Sequence, residues 1–221
     1  KLATPAYFAK EGIIPGNGPN GGTIPAVVDA MALALQLNGT MGLHQVMQPA
    51  IELADGFIMY NFLAEVFASQ KRATSKWKSA YDTYYPGGHV PQTGEMFRQP
   101  NLARTLRIIA DADKAEFEKT KDRKAAIQFA RDTFYKGDIA RRIGAAVEAD
   151  GGLMRYEDLA EYQGKVEEPA RTSVFGYDVC KGGFWSQGPA MLMALNILEA
   201  AGIQKMVPGS DVYLHTVTEA Y

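Results

Sequence analysis

Apolar residues recur at helical spacing along most of this chain, and that pattern predicts a mainly helical molecule. Between Ala26 and Leu37, and again from Leu43 to Asp55, small and aliphatic side chains return every three or four positions. Pro49 interrupts the second run, which predicts a kink or a fresh helix start there. Residues 57–72 read as helix on propensity. Helix signals resume over 101–118 and 122–135. A further helix is expected over 138–149, where Ile139, Ile143, Ala146 and Val147 fall at i, i+4, i+7 and i+8. Strong apolarity over Met191–Ala201 predicts a buried helix. Ser210 and Asp211 offer an N-cap for one more, with Val212, Val217 and Ala220 on one face. Alternation over Thr172–Cys180, centred on Phe175-Gly176, predicts a short β-hairpin. Two stretches lack either period: the Gly-, Pro- and Asn-rich residues 11–25, and 73–100 around PGGHVPQTGE. Both read as irregular. No repeat, linker or low-complexity segment interrupts the pattern.

The most regular stretch, 134–168, carries no visible chemistry. Its helical pattern meets Gly151-Gly152, and another helical turn opens on Tyr156-Glu157-Asp158-Leu159. It holds no nucleophile, metal-ligand set or phosphate loop. Arg155 stands where a helix N-cap is expected, yet a guanidinium has only donors and its charge opposes the positive helix end. Either Glu157 and Asp158 offset it, or an acidic partner elsewhere holds it.

Composition narrows the picture. With 221 residues, 47% of them hydrophobic and 22% charged, the chain can bury a core in one or two domains. A formal net charge of −2 gives no reason to expect nucleic acid or an anionic membrane as partner. No apolar run reaches eighteen residues, so no membrane-spanning helix is expected. The single cysteine, Cys180, cannot form an internal disulfide. The chain opens at Lys1 without a methionine, and the pattern of SDVYLHTVTEAY runs to Tyr221 without a stop signal. Both ends lead us to expect one piece of a longer polypeptide.

The candidate reactive groups are few. Gly16-Asn17-Gly18-Pro19-Asn20-Gly21 matches G-x-G-x-x-G, but no apolar strand precedes it and Pro19 removes an amide. A surface loop explains it better than a dinucleotide site. Cys180 would need a histidine beside it to act as a nucleophile, and His44, His89 and His215 have no spacing suggesting a base or a metal set. A buried, inert thiol is the expectation. Glu157-Asp158 suit the first turn of a helix, and Glu167-Glu168 form a second acidic pair. Asn38-Gly39-Thr40 fits a glycosylation sequon only in a eukaryotic secretory host. Trp185, in GGFWSQGP, is expected to fill a gap between layers, with a pocket wall as the alternative.

In order along the chain stand Gly22-Thr23-Ile24-Pro25, QPAIELADGF (48–57), PNLARTL (100–106), FYKGDIA (134–140), ADGGLMRYEDLAEY (149–162) and Glu168-Pro169. Gly176-Tyr177, LNILE (195–199) and LHTVTEAY (214–221) complete the series. Each is weak alone, but their order over about 200 residues resembles the large subunit of the gamma-glutamyltransferase family. That family belongs to the N-terminal-nucleophile (Ntn) hydrolases. The resemblance implies an α+β fold: a segment of a four-layered αββα sandwich, mainly helical here with a few strands. It treats residues 1–221 as a single segment of the large subunit. A small subunit cut from the same precursor would be its partner, and a gamma-glutamyl compound its substrate.

In this family the nucleophile is the N-terminal threonine of the small subunit, with its own α-amine as base and backbone amides of the same subunit holding the oxyanion. The arginine gripping the substrate carboxylate precedes the family's counterpart of Ala3-Thr4. By resemblance, then, no catalytic, substrate-binding or metal-binding residue falls within 1–221. No cofactor is implied, and the compartment would be periplasmic or extracellular. Related readings are amide hydrolysis of another acyl group, as in cephalosporin acylases or capsule-polyglutamate enzymes, and an inactive scaffold relative. Three departures bear on specificity. They are Ile24-Pro25-Ala26 for the usual Val-Pro-Gly, Phe184-Trp185-Ser186-Gln187-Gly188 for a Pro-rich Ser-Ser-Gly-Gly stretch, and Arg155 for a common Thr.

Overall fold

The computed structural model describes residues 1–221, which form two compact units, Lys1–Gly164 and Lys165–Tyr221. The first opens with α1 (Pro5–Glu11), capped by the Thr4 hydroxyl, and a looped stretch through residue 26. Then come α2 (Val27–Asn38), α3 (Leu43–Val46) and α4 (Gln48–Asp55). Pro49 sits in the first turn of α4, where its missing amide costs nothing, so the break it predicted is a new helix start.

Residues 57–100 depart from expectation. Phe57–Ile58 form β1 and pair antiparallel with Met96–Phe97, β2, in the register Phe57↔Phe97 and Ile58↔Met96. The helix expected over 57–72 therefore starts later, as α5 (Asn61–Thr74). The stretch read as irregular also contains α6 (Lys78–Tyr84). Aromatic packing explains why it holds. Tyr85 is buried and donates its hydroxyl to the Phe67 carbonyl at 2.7 Å, while Phe67 meets Phe97 edge to face. Met59, Ala64 and Phe97 form a small second core beneath these rings.

The main core is built by α7 (Pro100–Thr120), α8 (Arg123–Tyr135), α9 (Asp138–Ala149) and α10 (Tyr156–Ala160), with α2 and α3 packed on them. Lys121 takes a left-handed conformation that ends α7. The Asp122 carboxylate then caps α8, accepting from the Lys124 and Ala125 amides at 2.9 and 3.0 Å. Ala32, Ile109, Ile127, Ala130, Tyr135 and Leu159 lie at the centre. This is where the patterned 134–168 stretch goes: its apolar positions are core positions.

Arg155 is the N-cap of α10 and offers no side-chain cap. Asp158 supplies one instead, accepting from the Arg155 amide at 2.9 Å. The guanidinium turns back, donating to the carbonyls of Gly152 at 2.7 Å and Met154 at 3.0 Å and pairing with Glu148 at 3.1 Å. Of the two expectations for Arg155, the structure shows the acidic partner elsewhere, and it is Glu148.

The second unit begins with residues 165–169, which form no regular element, then β3 (Ala170–Val174) and β4 (Tyr177–Lys181) in a hairpin. Phe175 and Gly176, both at positive φ, form its two-residue turn as expected. The apolar helix arrives as α11 (Gly188–Ala200), three residues earlier than its pattern, with Pro189 in the first turn. It packs on β3. The Ser210 hydroxyl caps α12 (Asp211–Ala220).

Gly144 marks a close approach between α9 and α10. A Cβ there would lie 2.7 Å from the Tyr156 amide nitrogen, so α9 rests directly on the start of α10. Gly144→Ala is expected to destabilise the protein by about 1–3 kcal/mol through overpacking. Urea unfolding of the two proteins checks this. An unchanged midpoint would show that α10 yields without cost.

Candidate functional site

Three side chains with polar ends fall on otherwise apolar helical faces, and they make the most connected polar cluster in the first unit. Asp29, on α2, shares its buried face with Ala32. Arg131, on α8, lies among Ile127, Ala130 and Tyr135. Asp29 and Arg131 are almost wholly buried and form an ion pair through Asp29 Oδ1 and Arg131 Nε. The other oxygen of Asp29 accepts from the Gly164 amide, and the guanidinium also donates to the Tyr162 carbonyl and, at 2.9 Å, to Asp132. Tyr135 accepts from the Asp29 amide at 3.2 Å and donates to the Pro25 carbonyl.

The electrostatics follow from this arrangement. Burial works against the charge on Arg131, but bonds from Asp29 and Asp132 overcome it and hold its pKa above the ordinary value. Burial raises the Tyr135 phenol. Asp132 is also desolvated, yet bonds from Lys136 and Arg131 bring its carboxyl below the ordinary range. Its contribution to stability is therefore full above the unfolded carboxylate pKa and lost as pH falls through the lower folded value. A recess of about 220 Å³ lies alongside, bordered by Asp29, Gln36, Gln128, Arg131 and Gln163. Each guanidinium nitrogen of Arg131 makes one of these bonds, and the cluster clamps residues 162–164.

The reactive groups picked out from sequence stay apart. Cys180 is exposed, which corrects the expectation of burial. In the hairpin, Thr172, Val174 and Val179 share the face toward α11, whereas Cys180 pairs with Arg171 on the other face. It makes no side-chain hydrogen bond. His44 pairs with Asp113 at 2.6 Å and His89 with Glu95 at 2.7 Å, while His215 is exposed on α12. No group of three His, Cys, Asp or Glu side chains is arranged to hold a metal ion.

The Gly16–Gly21 loop packs against protein: Gly18 lies against the Trp77 indole, and the Asn20 side chain accepts from the Leu153 amide at 3.0 Å. Trp185 is 77% exposed and donates to Glu167 at 2.9 Å, so it fills no gap between layers in this chain. Glu168 reaches Arg171 at 3.5 Å. Asn38-Gly39-Thr40 closes α2, with Asn38 exposed.

Sequence reasoning passed over Asp29, Asp113 and Arg131. A signal was present for each. Asp113 continues the stripe Ala103, Leu106 and Ala110 along α7, and a carboxylate on such a stripe demands a buried partner.

A family model described as Gamma-glutamyltranspeptidase matches residues 1–221. The glutathione hydrolase-like YwrD proenzyme of Bacillus subtilis is 31% identical over 206 residues, covering 90% of this chain and 35% of its own length. The acylase ACY 1 proenzyme of a Pseudomonas species is 29% identical over 199 residues, covering 89% and 33%. Among solved structures, the Helicobacter pylori gamma-glutamyltranspeptidase superposes with a TM-score of 0.82 at 27% identity, over 100% of this chain and 60% of that one. The chain spans about a third of the length of these curated relatives. Its mainly helical α+β fold is that of the matching part of the Helicobacter pylori structure.

The clamp generates a prediction. Removing one partner of a buried ion pair strands the other charge, at about 3–5 kcal/mol. Asp29→Leu and Arg131→Met should each destabilise by that order, and the double variant by clearly less than their sum. A double-mutant cycle in urea reads the coupling. Strict additivity would mean that the two charges do not depend on each other.

Proposed function

This chain belongs to the gamma-glutamyltranspeptidase family, and we propose that residues 1–221, both units together, are a segment of the large subunit of an autoprocessed gamma-glutamyl transferase and hydrolase. The observation that carries the reading is agreement along the whole chain: the family model and the Helicobacter pylori fold each extend over all of it. The donors are glutathione-like, and the acceptors are water or amino acids. The partner is the small subunit of the same precursor, whose new N-terminal threonine is the nucleophile.

In this mechanism the threonine oxygen attacks the gamma-glutamyl carbonyl, and the α-amine takes the hydroxyl proton. Backbone amides hold the oxyanion. The amide C–N bond breaks as that proton passes to the leaving amine, and an acyl-enzyme ester remains. Water or an amino-acid amine then attacks the ester and releases the glutamyl group. Residues 1–221 contribute none of the reacting atoms in this scheme. Their task is to hold a rigid wall against which the partner subunit is positioned, and the buried clamp and the α7–α10 core suit that task.

A second reading rests on the match to an acylase proenzyme: the same nucleophile acting on a different acyl group. The test uses the complete precursor. It should cut itself once to expose a threonine, and the cut protein should release nitroaniline from gamma-glutamyl-p-nitroanilide. Release should be faster by several-fold when glycylglycine is added as acceptor. Cleavage without gamma-glutamyl turnover, but with hydrolysis of glutaryl amides, would select the acylase reading. No cleavage and no turnover would leave a scaffold relative.

A further inference from the structure

Three asparagines of this chain stand directly before a glycine: Asn17, Asn20 and Asn38. The pair has a chemistry of its own. Glycine has no side chain to shield its amide and its backbone turns freely, so that nitrogen can reach the asparagine side-chain carbonyl. Cyclisation needs an amide not committed to a hydrogen bond and a side chain free to rotate. It also needs backbone outside regular structure. On these counts the structure separates the three.

Asn20 is held twice. Its side-chain oxygen accepts from the Leu153 amide at 3.0 Å, and the Gly21 amide donates to the Gly18 carbonyl at 3.1 Å. Asn38 is the last residue of α2, and the Gly39 amide donates to the Leu35 carbonyl at 2.9 Å. Asn17 differs from both. It is exposed, its side chain makes no hydrogen bond, and the Gly18 amide donates to no backbone carbonyl. It lies outside any helix or strand, just before the turn that the Gly21–Gly18 bond closes. The glycine after it is fixed by the fold. Gly18 has φ of +86°, where side chains are rarely tolerated, and a Cβ there would lie 3.3 Å from Trp77 Nε1. The reactive pair is therefore built into this loop.

We propose that Asn17 is a modification site, deamidating in the native protein to aspartate and isoaspartate while Asn20 and Asn38 are protected. The Gly18 amide gives its proton to solvent base, and its nitrogen attacks Asn17 Cγ. As the new Cγ–N bond forms, the Cγ–Nδ2 bond breaks and the side-chain nitrogen leaves as ammonia with a proton from solvent. A succinimide remains. Water then opens it at either carbonyl, giving aspartate or isoaspartate. One water is consumed, one ammonia is released, and one negative charge is gained. Isoaspartate also inserts a methylene into the backbone, immediately before the turn whose Asn20 holds the Leu153 amide. The proposal is independent of the gamma-glutamyl reading and fails separately from it.

The test incubates the complete protein in warm, mildly alkaline buffer and follows the three asparagines by peptide mapping. Asn17 should convert about tenfold or more faster than Asn20 or Asn38, because those two must first open locally. In urea the engaged amides are released, and the three rates should come within a few-fold of one another. Methylation by an isoaspartyl methyltransferase should mark only the Asn17 peptide of the native sample. Asn17→Gln, an exposed change that would need a larger ring, should remove the acidic species and the methyl acceptance together. Native conversion at Asn20 or Asn38 as fast as at Asn17 would overturn the proposal. So would an Asn17 that converts only in urea, or acidic species that persist in Asn17→Gln. A preference for Asn17 equally large in urea belongs to its flanking residues and would overturn it too.

Discussion

The first unit depends on one buried ion pair. Asp29 and Arg131 stand 102 positions apart in sequence and meet where α2 crosses α8. Neither charge could be buried alone, so each fixes the other. Their remaining valences reach further, to the Gly164 amide, the Tyr162 carbonyl and Asp132. The chain leaving α10 is thereby held against two helices before it reaches the second unit. Tyr135 adds a lock on the start of α2 through the Asp29 amide and the Pro25 carbonyl. An apolar set of the same volume could match this pair in stability. It could not match the definition of one register for three segments at once.

Under the proposed function the residues of this chain supply no reacting group, and that rigidity suits such a role. Several polar groups are absorbed by structure. Asp158 caps α10, Glu95 receives the Gln92 amide and the His89 ring, and the Gly16–Gly21 loop rests on Trp77 and the turn before α10. Under the proposed function, accuracy in placing a partner's nucleophile is what such a wall contributes. An error of one ångström at the wall would be felt in the transition state. Of the departure Phe184–Gly188, Phe184 and Trp185 are exposed in the turn ahead of α11, whereas Gly188 is buried in the first turn of that helix.

Much of this was legible in the residues, and the failures have physical causes. Helices α8 and α9 were found to within a residue because a local period, an Asp122 cap and a Gly137 break agree. The hairpin at 170–181 was legible because its turn is only two residues long. β1 and β2 were not, since each is two residues long and their pairing spans about forty positions, with no local period to announce it. α6 carries Tyr81 and Tyr84 and is held by the Phe67 ring of α5, which itself packs on Phe97 of β2, so its propensity alone looked like an excursion. Strand alternation fixed which residues share a face with Cys180, but nothing local says which face meets α11, and the thiol lies on the open one. For Arg155 the residues left two readings open, offset by Glu157 and Asp158 or an acidic partner elsewhere, because Glu148 reaches it only across the Gly151-Gly152 turn. The ordered family motifs carried the functional reading.

The central claim is that the chemistry belongs to a threonine of the partner subunit and that residues 1–221 position it. Covalent labelling of the complete, processed protein tests this most directly. A gamma-glutamyl analogue that traps the acyl-enzyme is applied, and its mass is located by peptide mapping. The account predicts one label, on the N-terminal threonine of the small subunit, with every peptide of 1–221 unmodified. A stoichiometric label within 1–221, on the exposed Cys180 above all, that abolishes turnover would contradict it.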